Sequence, residues 1–331
     1  LYFVLRFLTE KDLFSFKFFF ISCALSSIFV SLDIILQLLF GKDIFGYEIV
    51  GRHLSGPFGD EKIAGGYLQR FSLFIFFLFP LFYKINSKRI FNFSIIVLFF
   101  LIFFTIILSG NRMPLILFFL MIVLISVFQK GARRYILPMI VFFILVFSIV
   151  YNFNGKVRNN FKNLYKQINN ITTIITTSED KNIRESQYLK EFETFYDTWL
   201  MNKYFGGGIK NFRYYCHNRP NIEKESKFIC NMHPHNYYLE ILTETGIFGL
   251  MVISLTFLNI LYLTLYKKYF VTFNLNENLI IVPFLFLFLI EIFPIKSTGS
   301  FFTTGNATYL FLIMGILIGL MRKDISIEKK Y

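Results

Sequence analysis

Residues 93–130, FSIIVLFFLIFFTIILSGNRMPLILFFLMIVLISVFQK, decide the fold class. Two apolar runs, 93–109 and 113–128, flank the short polar break Gly110-Asn111-Arg112. Each run is about long enough to cross some 30 Å of hydrocarbon as a helix. A segment inside a bilayer has to satisfy its own backbone hydrogen bonds, which favours helices over isolated strands. No period-2 alternation competes with that reading. The same pattern recurs at 14–39, 67–83, 135–152, 246–266, 279–295 and 307–321. The sequence therefore predicts an all-α, polytopic membrane helix bundle with at least eight transmembrane helices.

Composition agrees: 55% of residues are hydrophobic and 20% aromatic, more than a water-soluble domain of this length exposes. The net charge of +13 excludes little until its location is read. Lys84/Lys88/Arg89, Lys130/Arg133/Arg134, Lys267/Lys268 and Arg322/Lys323 border apolar runs. That is the positive-inside distribution, which orients helices and calls for no nucleic-acid partner. With those clusters in the cytoplasm, segments 40–66, 110–112, 153–236 and 296–306 fall on the outer face. The chain starts at Leu1 with an apolar stretch, so the sequence is expected to be N-terminally incomplete and the helix count a minimum. Three regions follow: N-terminal transmembrane helices over 1–152, a large periplasmic loop over 153–236, and C-terminal helices over 237–331 that open with an amphipathic re-entry helix.

The loop holds the only tryptophan, Trp199, the triplet Gly206-Gly207-Gly208, and three of the four histidines. A long ordered loop on a membrane scaffold is usually functional. It leads into His233-Pro-His-Asn-Tyr-Tyr-Leu-Glu-Ile-Leu-Thr-Glu-Thr-Gly-Ile-Phe-Gly249. On a helical wheel Asn236, Glu240, Thr243 and Glu244 share one stripe, opposite Tyr237, Tyr238, Ile241, Leu242 and Thr245. A helix starting there carries His235 at its N-terminal end, where the helix dipole favours anions such as phosphate. A solvated face is the plainer reading of Glu240 and Glu244. His233 reads as a turn-forming residue with Pro234.

The motif His-Pro-His-Asn-x-x-Leu-Glu-x-Leu-x-Glu-x-Gly-x-x-Gly resembles the signature of the O-antigen ligase and O-antigen polymerase superfamily. Ser109-Gly-Asn-Arg-Met113 is similar to that family's Ser-Gly-x-Arg turn between two helices. Tyr204-Phe-Gly-Gly-Gly-Ile-Lys-Asn-Phe-Arg213 resembles its Gly-rich turn, and Arg52-His-Leu-Ser-Gly-Pro-Phe-Gly-Asp60 an earlier outer loop. The resemblance runs in order from about 50 to 250. It implies a glycosyltransferase of the bacterial inner membrane with its active face in the periplasm. Such an enzyme moves a glycan from undecaprenyl diphosphate to an acceptor hydroxyl, on lipid A core in a ligase or on a second lipid-linked glycan in a polymerase. No cofactor or metal is implied. His235 matches the family's critical histidine and would activate or orient the acceptor. Arg112 is the first candidate to stabilise the anionic leaving diphosphate, since arginine is always ionised and can bind two phosphate oxygens. Arg52, Arg213, Asn236 and Glu240 are further substrate-binding candidates. Family members often carry an Arg or His about fifteen residues before the Gly-rich turn; here that neighbourhood reads Gln187-Tyr-Leu, and Arg184 is the nearest substitute.

Two groups keep more than one reading. Cys216 and Cys230 would form a disulfide in an oxidising periplasm. The alternative is a metal site from these cysteines with His217, His233 and His235, although the spacing is not a standard zinc pattern. Asp33 and Glu291 lie in or near apolar spans, where an acid is a functional suspect by default; neither is assigned. A transporter or lipid flippase would show inverted repeats and charges deep in its helices. The sequence shows no such repeat and only sparse buried charge, with the polar interest concentrated on one face.

Overall fold

The structure is a computed structural model that describes residues 1–49, 53–83, 87–128, 136–153, 155, 157–159, 161–163, 165–166, 169, 187–219, 230, 233–271, 280–296 and 299–328. The described residues are predominantly helical. In chain order the elements are α1 (Tyr2–Glu10), α2 (Phe16–Phe40), α3 (Ala64–Phe71), α4 (Leu73–Phe82), α5 (Lys88–Leu108), α6 (Arg112–Phe128), α7 (Ile136–Phe153), α8 (Gln187–Leu200), α9 (Phe212–Tyr215), α10 (Tyr237–Leu261), α11 (Ile281–Glu291) and α12 (Thr304–Glu328). A π-helical segment, Tyr262–Val271, continues α10.

Among the described residues, five helices are long and apolar enough to cross a membrane: Phe16–Phe40, Ala64–Phe82, Arg89–Leu108, Tyr237–Lys267 and Thr304–Lys323. A bent pair, Ile140–Phe153 with Val157–Asn163, makes a sixth if it counts as one span. The expectation of eight is therefore met by length in five or six cases. The other two apolar stretches form shorter helices, Arg112–Phe128 and Ile281–Glu291. Arg112–Phe128, at 17 residues, is at the short end of the spanning range, and Ile281–Glu291 is shorter. The chain is a multi-pass helical membrane protein.

The chain divides into two compact units that interleave along the sequence. One comprises Lys11–Phe161 with Asn274–Ile290. Its core is aromatic, with Phe19, Phe20 and Phe74 packed around Phe284. A polar stripe on α2 (Ser27, Ser31, Asp33, Gln37) is fully buried. Polar groups in a span need partners. Thr105 of α5 donates to Ser31 at 3.2 Å, Asp33 accepts from the Ile44 amide at 2.8 Å, and Gln37 receives the Gly56 amide at 3.0 Å. Gln37 also donates to the Tyr47 carbonyl at 3.2 Å. Asp33 and Gln37 thus fold the connection after α2 back onto the end of that helix. This is a structural use for an acid that the sequence left unassigned.

The other unit comprises Leu1–Glu10, Lys162–Phe273 and Glu291–Tyr331. Here α1 packs along α12, and Gly315 and Gly319 give the space for it. A Cβ at Gly315 would sit 3.0 Å from the Tyr2 carbonyl oxygen, and one at Gly319 2.6 Å from Cβ of Thr9. Gly-x-x-x-Gly spacing puts both on one face, so the backbones approach closely. Gly305, by contrast, faces open space. Gly319→Leu is therefore expected to cost about 1–3 kcal/mol through overpacking. Thermal unfolding in detergent should show a lowered midpoint for Gly319→Leu and an unchanged one for Gly305→Ala.

Candidate functional site

The His-Pro-His motif stands at the start of α10, and Asn236 is the N-cap. Its Oδ1 accepts from the amides of Tyr238 (3.0 Å) and Leu239 (3.2 Å), two of the donors that a helix start leaves unpaired. Its Nδ2 donates to the Pro294 carbonyl at 2.6 Å. Both ends of the amide are therefore engaged within the protein. His235 is exposed just before the cap, and its ring lies 5.0 Å from that of His233 in an edge-on arrangement. His233 is half-buried, and burial, with a smaller contribution from His235, pushes its pKa below the ordinary histidine value. His233 is thus biased towards the neutral form. Acidification below its usual range protonates it more readily in the unfolded chain, so stability at this helix end falls with falling pH.

The following turns of α10 are held by a strap made of the end of α11 and the described residues among 292–301. Tyr237 donates to Glu291 at 2.8 Å, and Tyr238 donates to the Ile292 carbonyl at 2.5 Å. Glu291 pairs with Lys296 at 2.7 Å, and both side chains are buried. The Glu240 carboxylate accepts from the Ser300 hydroxyl and the Phe301 amide. Glu240 and Glu244 are only 1% and 2% exposed. The polar stripe of the wheel is real, but it faces protein and not water. A wheel shows which residues share a face; it does not show what covers that face.

Glu244 belongs to a second contact, between α10 and the Gly-rich turn. Gly246 has φ 68° and ψ −171°, which breaks the helix inside the apolar run. An unbroken helix would bond the amides of Ile247 and Phe248 to the carbonyls of Thr243 and Glu244. Those two amides instead donate to the carbonyls of Lys203 (2.9 Å) and Tyr204 (3.4 Å). The freed carbonyls of Thr243 and Glu244 accept from Gly207 and Gly208, each at 2.9 Å. Glu244 Oε2 also takes the Lys210 amide at 2.7 Å. Close approach requires glycine on both sides. A Cβ on Gly206 would sit 2.4 Å from the Glu244 carbonyl carbon, and one on Gly246 would sit 2.1 Å from the Tyr204 oxygen. Both glycines are in the left-handed region as well.

Behind this contact lies a small core of Phe195, Phe212 and Cys216, with Cys230 and Leu239 packed against it. Cys216 and Cys230 are joined by a disulfide, with Cα atoms 5.7 Å apart. The buried Arg219 donates to the Cys216 carbonyl at 2.9 Å and contacts both sulfurs, at 3.0 and 3.1 Å. Arg213, on α9, lies 4.8 Å over the Tyr214 ring, and its buried Nε has no hydrogen-bond partner among the described residues.

Arg112 belongs to the unit that contains α2, α5 and α6 and is the first residue of α6. The preceding turn has Gly110 at φ 73°, and Ser109 donates to the Ile106 carbonyl at 2.7 Å. The buried His53 ring nitrogen lies 3.1 Å from the Ser109 carbonyl oxygen, so two of the quoted motifs meet in this unit. Arg112 is half-buried and lines a small crevice with Asn111, Leu115, Val157 and Phe161. A cation at a helix N-terminus sits against the helix dipole, and an anion placed there would meet both positive groups. Arg52 and Arg184 lie outside the described residues.

Sequence reasoning missed Lys296 and Ser300 and left Glu291 without a role. A signal was present: Glu291 and Lys296 are the only charged residues between Leu279 and Met321. An isolated acid and base in an apolar region are expected to pair.

The fold is a multi-pass helical membrane scaffold, with the Arg112 turn in one unit and the histidine-bearing helix locked to a Gly-rich turn in the other. Residues 97–254 match the family model described as O-antigen ligase, and this stretch is a domain of the O-antigen ligase and polymerase superfamily. The family is of the glycosyltransferase type and acts on lipid-linked glycans. No curated protein matches the chain. The matched stretch takes in the Arg112 turn, the Gly-rich turn and the His235 helix, and it ends before the strap.

Removing one member of a buried ion pair leaves an uncompensated charge and costs about 3–5 kcal/mol. Glu291→Gln and Lys296→Met should each lower the unfolding midpoint strongly in detergent. The double variant should recover most of the loss. Gly246→Ala should also destabilise the protein, since no side-chain movement can relieve a contact between backbones.

Proposed function

We propose that this chain transfers a glycan from undecaprenyl diphosphate to an acceptor hydroxyl at the periplasmic face of the bacterial inner membrane. The favoured acceptor is lipid A core, which makes it an O-antigen ligase. The observation that carries this reading is the family match over one continuous stretch that includes Arg112, the Gly-rich turn and His235. The acceptor oxygen forms a bond to the anomeric carbon as that carbon's bond to the diphosphate oxygen breaks. The pair of electrons leaves with undecaprenyl diphosphate, and the configuration inverts.

His235 takes the acceptor proton or orients the hydroxyl. It is exposed at a helix start whose position is set by the Asn236 cap. Arg112 stabilises the charge growing on the diphosphate, with the α6 dipole acting in the same direction. Arg213, whose buried Nε has no hydrogen-bond partner among the described residues, is a second phosphate-binding candidate. Asn236 and Glu240 hold the helix, since their polar atoms are engaged with it and with the strap. The loop over 153–236 is the periplasmic region that carries this apparatus, between N-terminal and C-terminal sets of spans.

The test uses purified protein in vesicles with undecaprenyl-diphosphate-linked glycan. His235→Ala should reduce transfer by about 10²–10⁴-fold, and Arg112→Ala by about 10²–10³-fold, with unfolding midpoints unchanged. Transfer at the wild-type rate by His235→Ala would contradict the catalytic assignment. Offering lipid A core in one reaction and only lipid-linked repeats in another separates ligase from polymerase by which product is extended.

A further inference from the structure

Beyond α10's break at Gly246, the exposed side chains Phe248, Val252 and Leu255 recur at helical spacing along a helix long and apolar enough to cross a membrane, a face suited to lipid. Tyr204 and Phe205 extend that face. Their rings lie 6.0 and 5.4 Å from the Phe248 ring, and they are 62% and 71% exposed. They cannot swing away from the end of the span. The Lys203 and Tyr204 carbonyls hold the Ile247 and Phe248 amides, and Gly246 lies against the Tyr204 backbone. Trp199 completes the turn. Its indole N–H donates to the Lys203 carbonyl at 3.0 Å, which satisfies its polar edge, and its ring is 5.8 Å from the exposed Tyr196.

We propose that the turn from Trp199 to Phe205 is an interfacial anchor, seated in the phospholipid headgroup layer. Trp199, Tyr204 and Phe205 lie at the glycerol level, and Lys203 reaches lipid phosphates. Membrane lipid is the occupant favoured because the aromatic surface is continuous, ring against ring and backbone against backbone, with the lipid face of a spanning helix. Tryptophan, tyrosine and lysine, each apolar along the body and polar at the tip, suit that layer. The anchor would fix the depth at which the Gly-rich turn grips α10. It rests on the spanning character of α10 and not on glycan transfer.

Trp199 is the only tryptophan, so its fluorescence reports this turn alone. The wild-type protein is reconstituted in phosphatidylcholine–phosphatidylglycerol vesicles without any glycan donor. A spin label on the lipid headgroup should quench Trp199 by about twofold or more, and more than a label deep in the acyl chain. Aqueous iodide should quench it several-fold less than it quenches N-acetyltryptophanamide. Full iodide quenching with no effect of either lipid label would overturn the proposal and leave a water-facing aromatic surface, of the kind that stacks on sugar rings. Stronger quenching by the deep label than by the headgroup label would also overturn it.

Discussion

Backbone hydrogen bonds in a membrane-crossing helix have nowhere to go if they are broken, and α10 is broken at Gly246. The protein meets that constraint with an exchange. Two amides and two carbonyls that an unbroken helix would pair with each other are all bonded to the turn around Gly206-Gly207-Gly208. Two helical bonds become four bonds between a loop and a span. By these four bonds the loop is attached through main chain, not through side chains. The glycines are required because the backbones approach within the radius of a methyl group.

The position of the histidine follows from this exchange together with the strap. The break at Gly246 holds the C-terminal part of the amphipathic segment, while Asn236, Tyr237, Tyr238 and Glu240 hold its N-terminal part to residues between Glu291 and Phe301. His235 therefore stands on a segment secured at both ends. The disulfide restrains the chain on the approach side, three residues before His233. Under the proposed function this placement would serve the acceptor hydroxyl, since small misplacements cost large factors in rate. The buried carboxylates of Glu240 and Glu244 belong to this positioning apparatus.

Much of this was legible in the sequence, for identifiable reasons. Apolar length and the placement of basic clusters gave the multi-pass helical class. The start of the helix at Asn236 and the turn before Arg112 were legible, the first from the polar stripe of the wheel and the second from its Ser-Gly-x-Arg pattern; the break at Gly246 was not read, since it falls within an apolar run. The division of α10 into an amphipathic part and a spanning part was read from polarity alone. What could not be read was pairing over distance. Glu240 finds Ser300 sixty residues on, and no periodicity encodes that contact. Where a helix stops was less legible than that it exists, because hydropathy measures how apolar a run is and not where its helix ends. α11, for example, ends at Glu291, where the strap begins.

Amide hydrogen exchange in nanodiscs, read at single-residue resolution, tests the central exchange of bonds most directly. The account predicts that Gly207, Gly208, Ile247 and Phe248 exchange slowly and are released together when Gly206 is replaced by Ala. Fast exchange at Gly207 and Gly208 in the wild-type protein, alongside protected amides in the rest of α10, would contradict it.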